Sequence, residues 1–124
     1  MAKFYSGNGD DGKTGYLGEG RLEKFDQRIE ALGALDELTA ALGVARSWFP
    51  DTADGEMLLS IQRNLYKLMA EVASSAENAE KFRSISQDSV QDLETTIDRY
   101  SMGVDSPQGF IIPGGTQPSA AVSL

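Results

Sequence analysis

Cysteine and histidine are both missing from the 124 residues. Without cysteine there is no disulfide framework, no thiolate nucleophile and no sulfur-held metal, a pattern compatible with a reducing compartment. Without histidine the chain lacks the commonest general base and the commonest transition-metal ligand. Any metal would have to sit on oxygen, which points to Mg2+ or a similar hard ion, and no set of residues is assigned to hold one. Long apolar runs are missing too. None approaches the roughly 20 residues that span a bilayer, and the N-terminus carries no signal-peptide core, so a soluble, cytoplasmic protein with no membrane partner is expected. Positive charge is in deficit, with 11 Lys and Arg against 19 Asp and Glu and a net charge of −8. Such a balance argues against non-specific binding of nucleic acid or anionic lipid.

The distribution of charge says more than its sum. Residues 1–28 hold five bases (Lys3, Lys13, Arg21, Lys24, Arg28) against five acids (Asp10, Asp11, Glu19, Glu23, Asp26), so the rest of the chain carries the whole excess of acid. An anionic ligand finds its only tolerable ground at the N-terminus, unless the bases are simply scattered. In that same region Gly7-Asn8-Gly9-Asp10-Asp11-Gly12-Lys13-Thr14 matches the Walker A string G-x-x-x-x-G-K-[ST] letter for letter. The string works when a buried strand leads into it and a helix N-terminus follows, aiming N–H groups at phosphate. Here the strand could only be Met1 to Ser6, with Phe4 and Tyr5 as its apolar content. Downstream stands Gly15-Tyr16-Leu17-Gly18-Glu19-Gly20, poor helix material at about 1 kcal/mol per glycine. Two aspartates inside the loop would also repel a triphosphate. The segment stays a candidate phosphate cradle, while the P-loop fold is not expected.

The length suits one domain, 1–124, whose bulk is all-α. From Lys24 onward Ile29, Leu32, Leu35, Leu38, Leu42, Ala45 and Phe49 recur at helical steps, and Pro50 with Asp51 is expected to end that helix. Leu58, Ile61, Leu65, Leu68 and Val72 alternate by three and four, the seam of antiparallel bundle packing. Val90, Leu93, Ile97 and Tyr100 form a third stripe, opened by a capping region at Ser84 and Ser86 and stopped near Gly103. Three amphipathic helices over 24–102 predict a helical bundle behind an irregular glycine-rich segment, 1–23. Residues 103–124 contain Phe110-Ile111-Ile112-Pro113-Gly114-Gly115, extended because of the proline, and then a helix opening with Pro118 near its first turn. A helix that opens on the last residues is expected to bury nothing, so the sequence reads as truncated.

Two positions in the first helix stand out from a run of surface charge. Gly33 is unfavourable in a strong helix unless something must approach it closely. Asp36 adjoins Leu35 and Leu38, and a carboxylate at the edge of a core needs a cationic partner. Nothing near it in sequence supplies one.

Gly9-Asp10-Asp11-Gly12-Lys13-Thr14-Gly15-Tyr16-Leu17, Arg21 to Lys24, Glu30 to Leu38 and Phe110 to Gly115 occur here in an order that resembles the PduO-type ATP:cob(I)alamin adenosyltransferases. The likeness runs from end to end, and four ordered motifs are more specific than any one. It implies a ferritin-like up-down helical bundle assembling as a homotrimer, with ATP bound between subunits and the 1–23 segment wrapping its triphosphate. Cob(I)alamin would attack the 5′ carbon of ATP and expel triphosphate, giving adenosylcobalamin. Nucleophile and leaving group both belong to ligands, so the absence of histidine and cysteine is no obstacle; the protein supplies positioning, Mg2+-assisted charge neutralisation and a dry pocket. By the motif match, Asn8, Gly9, Gly12, Lys13, Arg21 and Lys24 fall in the ATP-binding segment. Asp36 corresponds to an aspartate that pairs with a catalytic-helix arginine, and Phe110 to the aromatic that closes the lower face of cobalamin and keeps its lower ligand off cobalt.

Three departures qualify the likeness. The family often has Thr-Lys-Thr where this chain has Ser6-Gly7-Asn8, losing a lysine that touches phosphate; Lys13 is the candidate substitute. A usual histidine is Ser123 here. The family's A-R-x-x-x-R-R-A-E stretch, whose arginines contact ATP and pair with the Asp36 counterpart, has no match before Leu124. The 124-residue chain is therefore expected to be weak or inactive as a catalyst. The competing expectations are a non-catalytic bundle that keeps ATP or corrinoid binding for regulation or cofactor delivery, and a plain partner-binding helical module. Asp10 and Asp11 are expected to fix the loop's turn or to sit near magnesium.

Overall fold

The computed structural model describes residues 4–124. Met1 to Lys3, which include one of the early bases and half of the only stretch that could form a strand ahead of the glycine loop, lie outside the described residues. Among the described residues five α-helices and one small hairpin make up the regular structure: β1 (Lys13–Gly15), β2 (Arg21–Glu23), α1 (Gln27–Arg46), α2 (Ala53–Ala73), α3 (Ala79–Phe82), α4 (Gln87–Ser101) and α5 (Gln117–Ala121), with a 3-10 turn at Ala76–Asn78 before α3. The chain is helical in its bulk, as the three stripes predict. The hairpin, antiparallel with Thr14 opposite Leu22, was not legible in the sequence.

Helix α1 begins three residues after Lys24, where the helical pattern was expected to open, because the Asp26 side chain accepts the Arg28 N–H and caps the helix at Gln27. Such a cap is worth about 1 kcal/mol. It also ends earlier than Pro50: Ser47, Trp48 and Phe49 lie in turns, and Asp51 takes a left-handed φ of 54° that closes the connection. Helix α2 starts under a Thr52 cap, whose hydroxyl accepts the Gly55 N–H at 3.1 Å. Gly55 is required there, since a Cβ on it would stand 2.2 Å from Phe49 O. The two long helices run antiparallel, with Gln62 Nε2 donating to Thr39 O at 2.9 Å near their middle and Arg28 Nη1 of the first turn of α1 donating to Ser74 O at 3.1 Å just past the end of α2.

Helix α4 follows the third stripe closely. Ser86 stands before it and donates its N–H to Ser89 Oγ at 3.3 Å. Ser84 is not part of that cap; the Glu71 carboxylate of α2 takes its N–H and that of Ile85, so the turn into α4 is fixed from the neighbouring helix. At the other end of α4, Tyr100 donates to Asp54 Oδ1 at 2.6 Å. Between these two ties, an apolar groove runs between α2 and α4, lined by Ile61, Leu65, Leu68, Val90 and Leu93.

Two expectations are corrected. Helix α5 does bury apolar surface: it packs on α1, and Ala121 is 6% exposed. A Thr116 cap and Pro118 in the first turn make even this short helix viable. Among the described residues nothing approaches Gly33, for a Cβ there would meet none of their atoms within 4 Å. Among the described residues only Leu42, Ala45 and Ala121 form a fully buried apolar core, while Leu38, Val44 and Trp48 remain exposed.

Candidate active site

The glycine-rich segment folds as a compact turn carried on the hairpin. Gly7 and Gly12 have φ of 71° and 82°, left-handed values that a side chain would resist. Backbone bonds from Asp10 N–H to Gly7 O and from Gly12 N–H to Gly9 O, both 3.2 Å, close two successive turns, and Lys24 N–H donates to Gly12 O at 2.9 Å. No strand precedes the loop among the described residues, and Lys13-Thr14 opens a strand instead of a helix. The P-loop fold is absent, as its sequence context implied.

Lys24 lies against Gly9. A Cβ on that glycine would stand 3.1 Å from Lys24 Nζ and 3.3 Å from its Cε, so Gly9 keeps a place open for the ammonium group. Lys13 faces across the hairpin, with its Nζ 3.4 Å from Glu23 Oε1. Arg21 points into the loop, where its guanidinium pairs with Asp11 at 2.7 Å and takes the carbonyls of Asn8 and Lys13. Asp11 fixes the loop, as the sequence suggested: it accepts the Lys13 N–H at 3.1 Å, and the Arg21 hydrogen bond holds its carboxyl below the usual carboxylate range. The predicted positions Asn8, Gly9, Gly12, Lys13, Arg21 and Lys24 are thus brought together in one small structure.

The cradle is moored to the helices through the 16–20 segment, a connection that sequence reasoning missed. Leu17 N–H donates to Ala73 O at 2.8 Å, and Ser75 N–H donates to Leu17 O at 2.9 Å, a parallel bridge onto the C-terminal end of α2. Gly18 passes so close that a Cβ would stand 2.5 Å from Ser75 Cβ. Arg28 from the first turn of α1 stacks 5.8 Å from the centre of the Tyr16 ring while it holds Ser74 O. The only signal for this in the sequence was the glycine spacing at 15, 18 and 20, which reads equally well as a loop.

The two positions assigned to the chemistry stand apart from that cluster in sequence and are open. Asp36 is exposed on α1, and none of the ion pairs among the described residues includes it. Phe110 is 93% exposed on an irregular segment, beside Ile111 and Ile112, which are also exposed. No group of three or more acidic side chains gathers to hold a metal among the described residues. Asp11, the acid most central to the loop, is already occupied by Arg21. These residues do not form a protein cage for Mg2+.

A family model described as cobalamin adenosyltransferase matches residues 4–124. The corrinoid adenosyltransferase of Citrobacter freundii is 36% identical over 128 aligned residues, an alignment that takes in all of this chain and 71% of that protein. The corrinoid adenosyltransferase PduO of Salmonella typhimurium is 38% identical over 90% of this chain, which spans only 33% of that longer protein. Among solved structures, a phenylalanine-to-alanine variant of the PduO-type ATP:corrinoid adenosyltransferase from Lactobacillus reuteri, complexed with cobalamin and ATP, superposes with a TM-score of 0.84 at 32% identity over 96% of this chain and 67% of that one. A match across nearly the whole length, carried by both sequence and fold, places the chain in the cobalamin adenosyltransferase family.

Proposed function

We propose that this chain serves the transfer of the 5′-deoxyadenosyl group of ATP to the cobalt of cob(I)alamin. The cobalt(I) electron pair forms the new bond to the 5′ carbon, the carbon–oxygen bond to phosphate breaks, and triphosphate leaves with that bond's electrons. The observation that best supports this reading is the cradle: two left-handed glycines, Gly7 and Gly12, with Lys24 laid against Gly9. Such a turn lets backbone N–H groups and an ammonium reach a polyphosphate closely, and their fixed positions stabilise charge that builds on the leaving group. Mg2+ enters as part of the nucleotide substrate, since triphosphate oxygens can supply most of its octahedral oxygen set. In this reading Phe110 covers a face of the corrinoid, and Asp36 takes the cationic partner that its place on α1 leaves open. Assembly as a homotrimer in the cytoplasm, with the nucleotide between subunits, completes the proposal; the exposed Leu38, Val44 and Trp48 of the α1 region are in keeping with it.

The test is to titrate MgATP into the 124-residue chain, then supply cob(I)alamin under reducing conditions and follow adenosylcobalamin and triphosphate. Lys24→Ala is expected to weaken MgATP binding about tenfold, the scale of one charge-assisted contact. Formation of the two products in equal amounts supports the transferase. Binding of ATP or corrinoid without turnover would favour a non-catalytic role, and binding of neither would overturn the proposal.

A further inference from the structure

Arg21 turns its guanidinium into the loop it accompanies. Its Nη1 donates to Asp11 Oδ2 at 2.7 Å, and its Nη2 donates to Asp11 Oδ1 at 3.0 Å, to Lys13 O at 2.6 Å and to Asn8 O. From one position on β2 the guanidinium therefore ties three points of the glycine loop, residues 8, 11 and 13. Asp11 is equally committed, because it also receives the Lys13 N–H. Lys24 is differently placed: its backbone N–H donates to Gly12 O, and its ammonium lies at Gly9.

We infer that Arg21 is a positioning residue: with Asp11 it forms an ionic latch that sets the 8–13 loop in its phosphate-receiving shape, and it does not itself touch phosphate. The inference rests on the nucleotide reading above. An exposed ion pair adds little stability by itself. Its worth lies in the order it imposes, since a loop already shaped for its ligand loses less freedom on binding. A planar fork that reaches two carboxylate oxygens and two carbonyls is a task for arginine, which an ammonium cannot repeat. The latch also explains why an aspartate is tolerated at the heart of a site for an anion. Asp11 faces a guanidinium, and its charge is answered before the nucleotide arrives.

The two roles open to Arg21 predict opposite signs for one substitution. MgATP is titrated calorimetrically into the unaltered chain, Arg21→Ala, Asp11→Ala, the double variant and Arg21→Lys. The latch predicts that both alanine variants weaken binding about tenfold, and that the double variant adds no more than about twofold, because either loss breaks the same unit. If Arg21 is instead a phosphate ligand restrained by Asp11, Asp11→Ala frees it and tightens binding, which would overturn the latch. Arg21→Lys keeps the charge but not the fork, so a loss close to that of Arg21→Ala is expected; near-full affinity would also overturn it. Amide hydrogen exchange on the ligand-free chain forms a separate arm. Either alanine variant should speed exchange at Lys13 and Lys24 while α1 and α2 stay protected, and an unchanged loop would refute the latch. If the unaltered chain takes up no MgATP, the nucleotide reading fails and this exchange arm alone decides the latch.

Discussion

Replacing Gly18 by alanine tests the mooring of the cradle with a single methyl group. The added Cβ would stand 2.5 Å from Ser75 Cβ, 2.8 Å from Ser75 Oγ and 2.9 Å from the Tyr16 ring. None of these neighbours can retreat cheaply. Ser75 is 5% exposed and its N–H is bound to Leu17 O at 2.9 Å, while the Tyr16 hydroxyl donates to Glu19 O at 3.0 Å. Overpacking of this kind costs about 1–3 kcal/mol, and separating the bridge to relieve it forfeits backbone bonds worth about 1 kcal/mol each. Both routes converge on about 2 kcal/mol, which for a domain of this size lowers Tm by roughly 8 °C. The backbone at Gly18 is not left-handed, so alanine is penalised there for its contacts and not for its conformation. Gly15→Ala is the matched control, because a Cβ at that position meets nothing within 4 Å. Thermal unfolding followed by far-ultraviolet circular dichroism reads both variants. Equal melting temperatures for Gly18→Ala and Gly15→Ala would refute the close approach and with it the mooring.

Other consequences follow from the ties between helices. Gly55→Ala should destabilise by about 2 kcal/mol in urea unfolding, since its Cβ would fall 2.2 Å from Phe49 O in the connection between α1 and α2. The N–H groups of Ser84 and then Ile85 hold the Glu71 carboxyl below the ordinary carboxylate range. A depressed value in the folded state stabilises fully above the unfolded chain's titration and fades as pH falls through the lowered value. Stability measured against pH should therefore drop in the acid limb, and Glu71→Gln should flatten that drop. Tyr100 is pushed above the usual tyrosine range, first by its hydrogen bond to Asp54. Ultraviolet titration should show one late-ionising tyrosine that Tyr100→Phe removes and Asp54→Asn brings back towards the others.

The long helices were legible because their signal is repeated. Five apolar residues of α2 at steps of three and four leave little room for another period, and the stripe of α4 behaves likewise. Boundaries were less so. Asp26 competes for the start of α1 with a side-chain bond that no periodicity reports, and the end of α1 yields to turns four residues before Pro50. The hairpin escaped because three-residue strands carry too few positions for alternation to show. The cradle residues could be placed together because they lie close along the chain, and ordered motifs fixed their identity. What the sequence left open was direction: that Arg21 turns inward to Asp11 while Lys24 lies at Gly9 depends on the register Lys13 opposite Glu23, which no spacing argument contains. The reading of α5 failed for a related reason. Five residues bury little by pattern, but they bury it against α1, a partner far earlier in the chain.

The parallel bridge between Leu17 and Ser74 makes the glycine turn and the far end of α2 parts of one mechanical unit. A molecule seated in the turn would then stabilise the helices without touching them. Ligand present at a hundred times its Kd adds about 2.7 kcal/mol to the unfolding free energy of whatever unfolds with its site. Occupancy at the N-terminus should consequently be readable as heat resistance of the helical signal, and a chain with the bridge cut should bind and melt as two separate events.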